Sequence, residues 1–162
     1  MKNLFNVGDI VDIGIEKEKA RQQFYSQVSD AFDDPELKEL FSKLSVWESV
    51  HVQKFEQVRS SLKEIAPTES YPGELTSYVQ ALVDDKLYKS VAPASFAKTI
   101  QSPLDAIEMG IGFEKDAILL FLELSQYVRA KNNDVLQELL AEERQHIVAL
   151  IKMKKSIASD ET

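Results

Sequence analysis

The chain holds two histidines, and each follows a glutamate by three residues: Glu48-x-x-His51 and Glu143-x-x-His146. On a helix, residues three apart share a side and lie about one turn from each other. Each pair therefore aims a carboxylate and an imidazole at one point. Each pair also has a partner glutamate far upstream, Glu18 lying 30 residues before Glu48 and Glu114 lying 29 residues before Glu143. The chain reads as two copies of one unit: a helix with a Glu, a turn, and a helix with Glu-x-x-His.

The apolar periodicity places these groups in mid-stripe. In the first helix, predicted to start at Asp9, residues Val11, Gly14, Glu18, Arg21, Tyr25, Val28 and Phe32 recur at three- and four-residue spacing. Asp33-Asp34-Pro35 ends it, with Asp34 a natural N-cap and Pro35 suited to the first helical position. The second helix is predicted from Pro35 to about Lys63, with Leu37, Leu40, Phe41, Leu44, Phe55, Val58 and Leu62 on the face that Glu48 and His51 continue. Residues 66–102 carry Pro67, Pro72, Gly73 and Pro93 and form a crossover, with a shorter helix from about Glu74 to Lys89. The third long helix opens at Ser102-Pro103, with Asp105 completing a capping box, and runs to about Ala130. A turn at Lys131-Asn132-Asn133-Asp134 leads into the fourth, which runs to about Ala158 with its tail frayed. Its stripe is Val135, Leu136, Leu139, Ile147, Leu150, Met153 and Ile157, with Glu143 and His146 between. The two short turns require antiparallel helical hairpins, and the length of the crossover leaves the direction of the third helix free.

The repeat extends beyond the polar groups. Laying Glu18 on Glu114 brings Gly14 onto Gly110, Ile15 onto Ile111, Lys19 onto Lys115 and Tyr25 onto Phe121. Laying Glu48 on Glu143 brings Leu44, Val52, Phe55, Val58 and Leu62 onto Leu139, Ile147, Leu150, Met153 and Ile157. Glu16 falls on Gly112, which excludes it as the repeated acid. Two hairpins related by a pseudo-two-fold axis would then supply equivalent groups to a central site.

Four carboxylates cannot all stay ionised in an apolar interior without compensation. Two divalent metal ions would balance Glu18, Glu48, Glu114 and Glu143, and His51 and His146 would complete the donors. Oxygen and nitrogen donors without sulfur suit iron or manganese, and zinc can be held too. Around these six, Gly14 and Gly110 read as points of close helix approach or as room for a small oxidant. Tyr25 reads as a core aromatic, or as a hydrogen-bond partner of a ligand or a radical carrier. Trp47 reads as a core or interface filler, and Glu142, off the stripe, as solvated.

Composition narrows the alternatives. The chain has 162 residues, 44% hydrophobic, which suits one domain spanning 1–162 with a single core. A formal net charge of −8 without a dense basic run argues against nucleic acid or an anionic membrane as partner. No cysteine is present, so disulfides, iron–sulfur clusters and zinc–thiolate sites are excluded. The first residues, MKNLFNVGDIVDIG, lack an apolar signal core, and no segment has the length of a membrane span, so a cytoplasmic location is expected.

Taken together, Glu18-Lys-x-x-x-x-Phe24-Tyr25, Glu48-x-x-His51, Gly110-Ile-x-x-Glu114-Lys-Asp and Glu143-x-x-His146 resemble the rubrerythrin-related branch of the ferritin-like superfamily over about residues 9–157. The resemblance implies an all-α ferritin-like four-helix bundle with a long crossover between the second and third long helices. It implies Glu18 and Glu114 as terminal ligands, Glu48 and Glu143 as bridging ligands, and one histidine per metal. It implies a di-iron protein that reduces peroxide or O₂, or oxidises Fe(II), with electrons from an external donor. The chain departs from rubrerythrins in having no cysteine-ligated rubredoxin-like domain, and Ala117 where they tend to carry a further glutamate. An iron-binding or iron-handling protein without turnover, and a metal-free helical interaction module, are the alternative readings. A homodimer is expected, because the run Ala117-Ile-Leu-Leu-Phe-Leu is wider than one helix stripe.

Overall fold

The computed structural model describes residues 6–62, 74–82 and 86–161. Four long helices carry the architecture: α1 (Val7–Ala31), α2 (Pro35–Ser61), α6 (Pro103–Leu124) and α7 (Ala130–Asp160). Three short ones, α3 (Glu74–Leu82), α4 (Lys86–Lys89) and α5 (Phe96–Thr99), lie in the crossover. There is no strand among the described residues. Helices α1 and α2 form one hairpin and α6 and α7 the other; α1 packs also on α6, and α2 on α7.

Local chemistry sets the helix ends. Asp34 accepts from the Leu37 amide at 2.8 Å and Pro35 opens α2. Ser102 and Asp105 form the expected capping box on α6. The first helix starts earlier than its acid suggested: Asn6 is the N-cap and Asp9 closes a reciprocal box with it. The second long turn also lies elsewhere. Helix α6 ends at Leu124, the chain turns over 125–129, and Lys131-Asn132-Asn133-Asp134 belongs to α7. Ala130, with φ 30°, takes the strained backbone at that junction. Helix α7 continues to Asp160, past the expected fraying at Ser159. The expected Glu74–Lys89 helix is seen as α3 and α4 on either side of residues 83–85, which, like Lys63, Pro67, Pro72 and Gly73, lie outside the described residues.

The core is two apolar clusters rather than one. Val11, Phe55, Val58, Leu120, Phe121 and Leu139 belong to the first, and Phe24, Val28, Leu44, Phe41, Phe113 and Leu150 to the second. Along every long helix the chain passes from one cluster to the other through a glutamate. A polar layer thus separates the two clusters at mid-height, where hydrocarbon would otherwise be continuous. No helix among the described residues is long and apolar enough to cross a membrane.

Candidate metal centre

The mid-height layer consists of Glu18 from α1, Glu48 and His51 from α2, Glu114 from α6, and Glu143 and His146 from α7. All four glutamates are 0% exposed, and the histidines are 1% and 4% exposed. The structure brings all six together as two overlapping groups. Glu18, Glu48, His51 and Glu143 form one, and Glu48, Glu114, Glu143 and His146 the other, with one donor atom of each member within 4.8 Å of the rest.

The shared glutamates face both ways. Glu48 sets Oε2 3.4 Å from His51 Nδ1 and Oε1 3.5 Å from His146 Nδ1. Glu143 sets Oε1 3.0 Å from His51 Nδ1 and Oε2 3.0 Å from His146 Nδ1. Glu18 Oε2 lies 3.6 Å from His51 Nδ1, and Glu114 Oε2 lies 3.5 Å from His146 Nδ1. Several of these inward atoms are buried without a hydrogen bond of good geometry: Glu18 Oε2, both Glu48 oxygens, His51 Nδ1, Glu114 Oε2 and Glu143 Oε1. Buried polar atoms are nearly always paired, so a cluster of orphans converging on one space marks a place for cations. The donors fit divalent metal ions of borderline or hard character.

Outward atoms are tied down. Arg21, fully buried, donates through Nη2 to Glu18 Oε1, and its Nε lies 3.5 Å from Glu48 Oε2. Arg21 Nη1 donates to Tyr88 Oη at 2.9 Å, and Tyr88 donates to Asp116 at 2.9 Å. Asp116 also pairs with the buried Lys17 at 2.8 Å. On the other side the Tyr25 hydroxyl donates to Glu114 Oε1, so Tyr25 is both a core aromatic and a partner of a site carboxylate. His51 Nε2 lies 2.6 Å from Glu142, which also accepts from Lys54 at 3.0 Å. Trp47 stacks on His146 with ring centroids 5.1 Å apart and planes 8° apart, and His146 stacks on His51 at 5.4 Å.

Two sequence expectations are thereby corrected. Glu142 is not simply solvated: adjacent to Glu143, it sits on the α2–α7 seam and reaches His51 across it. Of the two readings of Trp47, core or interface filler, the core one fails: the ring is 39% exposed and covers His146 from outside. Arg21 and Tyr88 were not anticipated as parts of the site. The signal for Arg21 was a second charge inside the same apolar stripe; Tyr88, on a short crossover helix, carried no spacing signal. The two glycines also separate. A Cβ on Gly14 would make ordinary contacts, the nearest 3.5 Å from Phe55, and one on Gly110 would crowd Leu150 and Tyr25 at 3.3 Å. Gly110 thus keeps room for the ring that reaches Glu114.

Protons follow this geometry. Burial pushes Glu18 well above the usual carboxylate range, the Glu48 charge adds to that, and Arg21 opposes it. Burial also raises Glu114, with Glu143 and Glu48 pushing the same way. Against the same burial, Glu48 is held well below the usual range by the facing Glu18 carboxyl, by Arg21 and by the imidazoles. Glu143 is held down at about 2 against burial and the Glu48 charge, by the facing Glu114 carboxyl and by the His146 and His51 imidazoles. Within each pair the same burial and mutual repulsion push one carboxyl up and its shared neighbour down. Burial alone would lower His146, yet Glu114, Glu143 and Glu48 raise it to about 11, and Glu143, Glu18 and Glu48 raise His51 further against the same burial.

Access comes from the α2–α7 seam. A groove of about 430 Å³ there is lined by Trp47, Val50, Glu142, Gln145, His146 and Ala149. It reaches a ring of the buried layer directly.

No protein-family model matches the chain, and no curated protein does. Among solved structures, a Thermotoga maritima protein described provisionally as a ferritin-like diiron-carboxylate protein is similar in fold. The TM-score is 0.64 at 22% sequence identity, over 93% of this chain and 95% of that one. The likeness shows an all-α, ferritin-like fold.

Proposed function

We propose that this ferritin-like bundle holds two metal ions, iron first and manganese or zinc as alternatives, between Glu48 and Glu143. Glu18 with His51 completes one position and Glu114 with His146 the other. The observation that carries the reading is the set of unpaired oxygens and the His51 nitrogen facing one another in an otherwise apolar interior. Two divalent ions would balance the four carboxylates, Glu18, Glu48, Glu114 and Glu143, that meet there.

Redox-active ions held by these six residues would supply electrons for reducing peroxide or O₂, or accept them from Fe(II) as substrate. The chain's own residues do the rest. Arg21 and Tyr25 hold the outer oxygens of Glu18 and Glu114, so that Oε2 of each points inward. Glu142 holds the Nε2 proton of His51, leaving Nδ1 to face the centre. The two apolar clusters exclude bulk water above and below, and the groove beside Trp47 admits a small oxidant. Reducing equivalents would come from a donor protein or small reductant, since these 162 residues hold no cysteine-ligated centre. A second copy of the chain is the other partner, through the face carrying the exposed Leu119 and Leu122.

Anaerobic Fe(II) reconstitution, metal counting and addition of peroxide test this function. Two irons per chain, fast oxidation and many turnovers with an added reductant support the redox enzyme. One oxidation followed by release of iron to an acceptor favours the iron-handling reading. No metal uptake leaves a helical interaction module.

A further inference from the structure

The two halves match in their inward donors and differ in what stands behind them. At an offset of 96 residues, Glu18 falls on Glu114, Arg21 on Ala117 and Tyr25 on Phe121; at an offset of 95, Glu48 falls on Glu143 and Trp47 on Glu142. Arg21 places a permanent cation on the α1 side only. Its guanidinium binds the outer oxygen of Glu18 and approaches Oε2 of Glu48, the oxygen that faces His51 rather than His146. Tyr88 fixes the guanidinium from the crossover. The matched position on the α6 side is Ala117, fully buried, and the outer oxygen of Glu114 is held by the neutral Tyr25 hydroxyl.

We propose that Arg21 makes the two cation positions unequal, so that the Glu114–His146 position fills first and the Glu18–His51 position is the weaker, exchangeable one. The inference rests on the two-ion reading of the centre. A guanidinium that shares two carboxylates with an incoming dication repels it and competes for its oxygens, at a distance and burial where water screens little. A neutral hydroxyl on Glu114 does neither. The second ion then binds about tenfold or more weakly than the first, the size of effect that outer partners commonly have. It is the ion that leaves first.

The chain's two histidines make the order directly readable. Protein labelled with ¹⁵N-histidine is freed of metal and titrated with Zn(II), and the two imidazoles, assigned through their backbone connectivities, are followed by NMR. The expected result is that His146 shifts during the first equivalent and His51 during the second. Arg21→Gln is expected to merge the two steps, and Arg21→Lys, which keeps the charge, to preserve their order. His51 shifting first, both moving together in the native chain, or an unchanged order in a folded Arg21→Gln protein overturns the inference while leaving the two-ion centre standing. The native order is read without any substitution, so the inference stays exposed if Arg21→Gln does not fold. Zn(II) that moves neither imidazole overturns the two-ion reading itself.

Discussion

The α1–α2 half and the α6–α7 half give the centre the same three inward groups, a glutamate and a Glu-x-x-His pair, yet they surround them differently. Behind Glu18 stands a buried ion-pair chain, Arg21–Tyr88–Asp116–Lys17, anchored in the crossover. Behind Glu114 stands one phenol, which passes Gly110 where a side chain would crowd it. His51 leans on a carboxylate and His146 on an indole. On the proposed reading the inward donors answer to what a cation pair needs, and both halves meet the same demand. The outer partners answer to local packing and charge, and there the halves are free to differ.

The largest expected contrast is between shared and unshared glutamates. Glu48→Ala is expected to abolish binding at both positions, and Glu18→Gln or Glu114→Gln to leave about one ion per chain, as elemental analysis of reconstituted protein would show; the sharing of Glu48 underlies the difference. Next comes the outer ring in the metal-free protein. Arg21→Met strands Glu18 and Glu48 without their fixed cation and is expected to cost about 3–5 kcal/mol in urea unfolding. Tyr25→Phe leaves one Glu114 oxygen unpaired and is expected to cost about 1–3 kcal/mol. Equal costs would erase the contrast between the halves.

Acidity gives a third test. In the metal-free protein His146 is raised to about 11, so its stabilising contribution is complete below its unfolded value near 6.5 and is lost as pH climbs through about 11. The raised Glu18 and Glu114 act in the same sense, losing stability as pH rises. Glu143, held at about 2, acts oppositely, its contribution being complete above 4.5 and lost on acidification through about 2. The urea midpoint of the metal-free protein is therefore expected to be lower at pH 9 than at pH 6. Zn(II) affinity is expected to rise over the same interval, because both imidazoles must release a proton. The smallest contrast concerns the glycines. Gly14→Ala is expected to stabilise by about 1 kcal/mol through helix propensity. Gly110→Ala should show no such gain, since the new methyl crowds Tyr25 and Leu150.

The six inward residues were legible because three signals coincide on them: helical spacing, mid-stripe position and repetition. The outer partners carried fewer. Arg21 lay on the right stripe but has no charged counterpart at Ala117, so the repeat did not mark it. Glu142 and Trp47 sit next to ligands and one step off the stripe; an isolated helix would send both to water, and only the neighbouring helix on the α2–α7 seam turns them toward a histidine. Tyr88 comes from a four-residue helix whose placement depends on tertiary packing alone. The turn between α6 and α7 was misplaced for a similar reason. Asn132, Asn133 and Asp134 have turn-like composition, and packing of the long α7 overrides it.

The most direct test of the central claim is anomalous diffraction at the iron edge from crystals reconstituted anaerobically with Fe(II). The account predicts two peaks between Glu48 and Glu143, one beside Glu18 and His51 and the other beside Glu114 and His146. Iron found only at surface carboxylates, with the six side chains unchanged and empty between them, would contradict it.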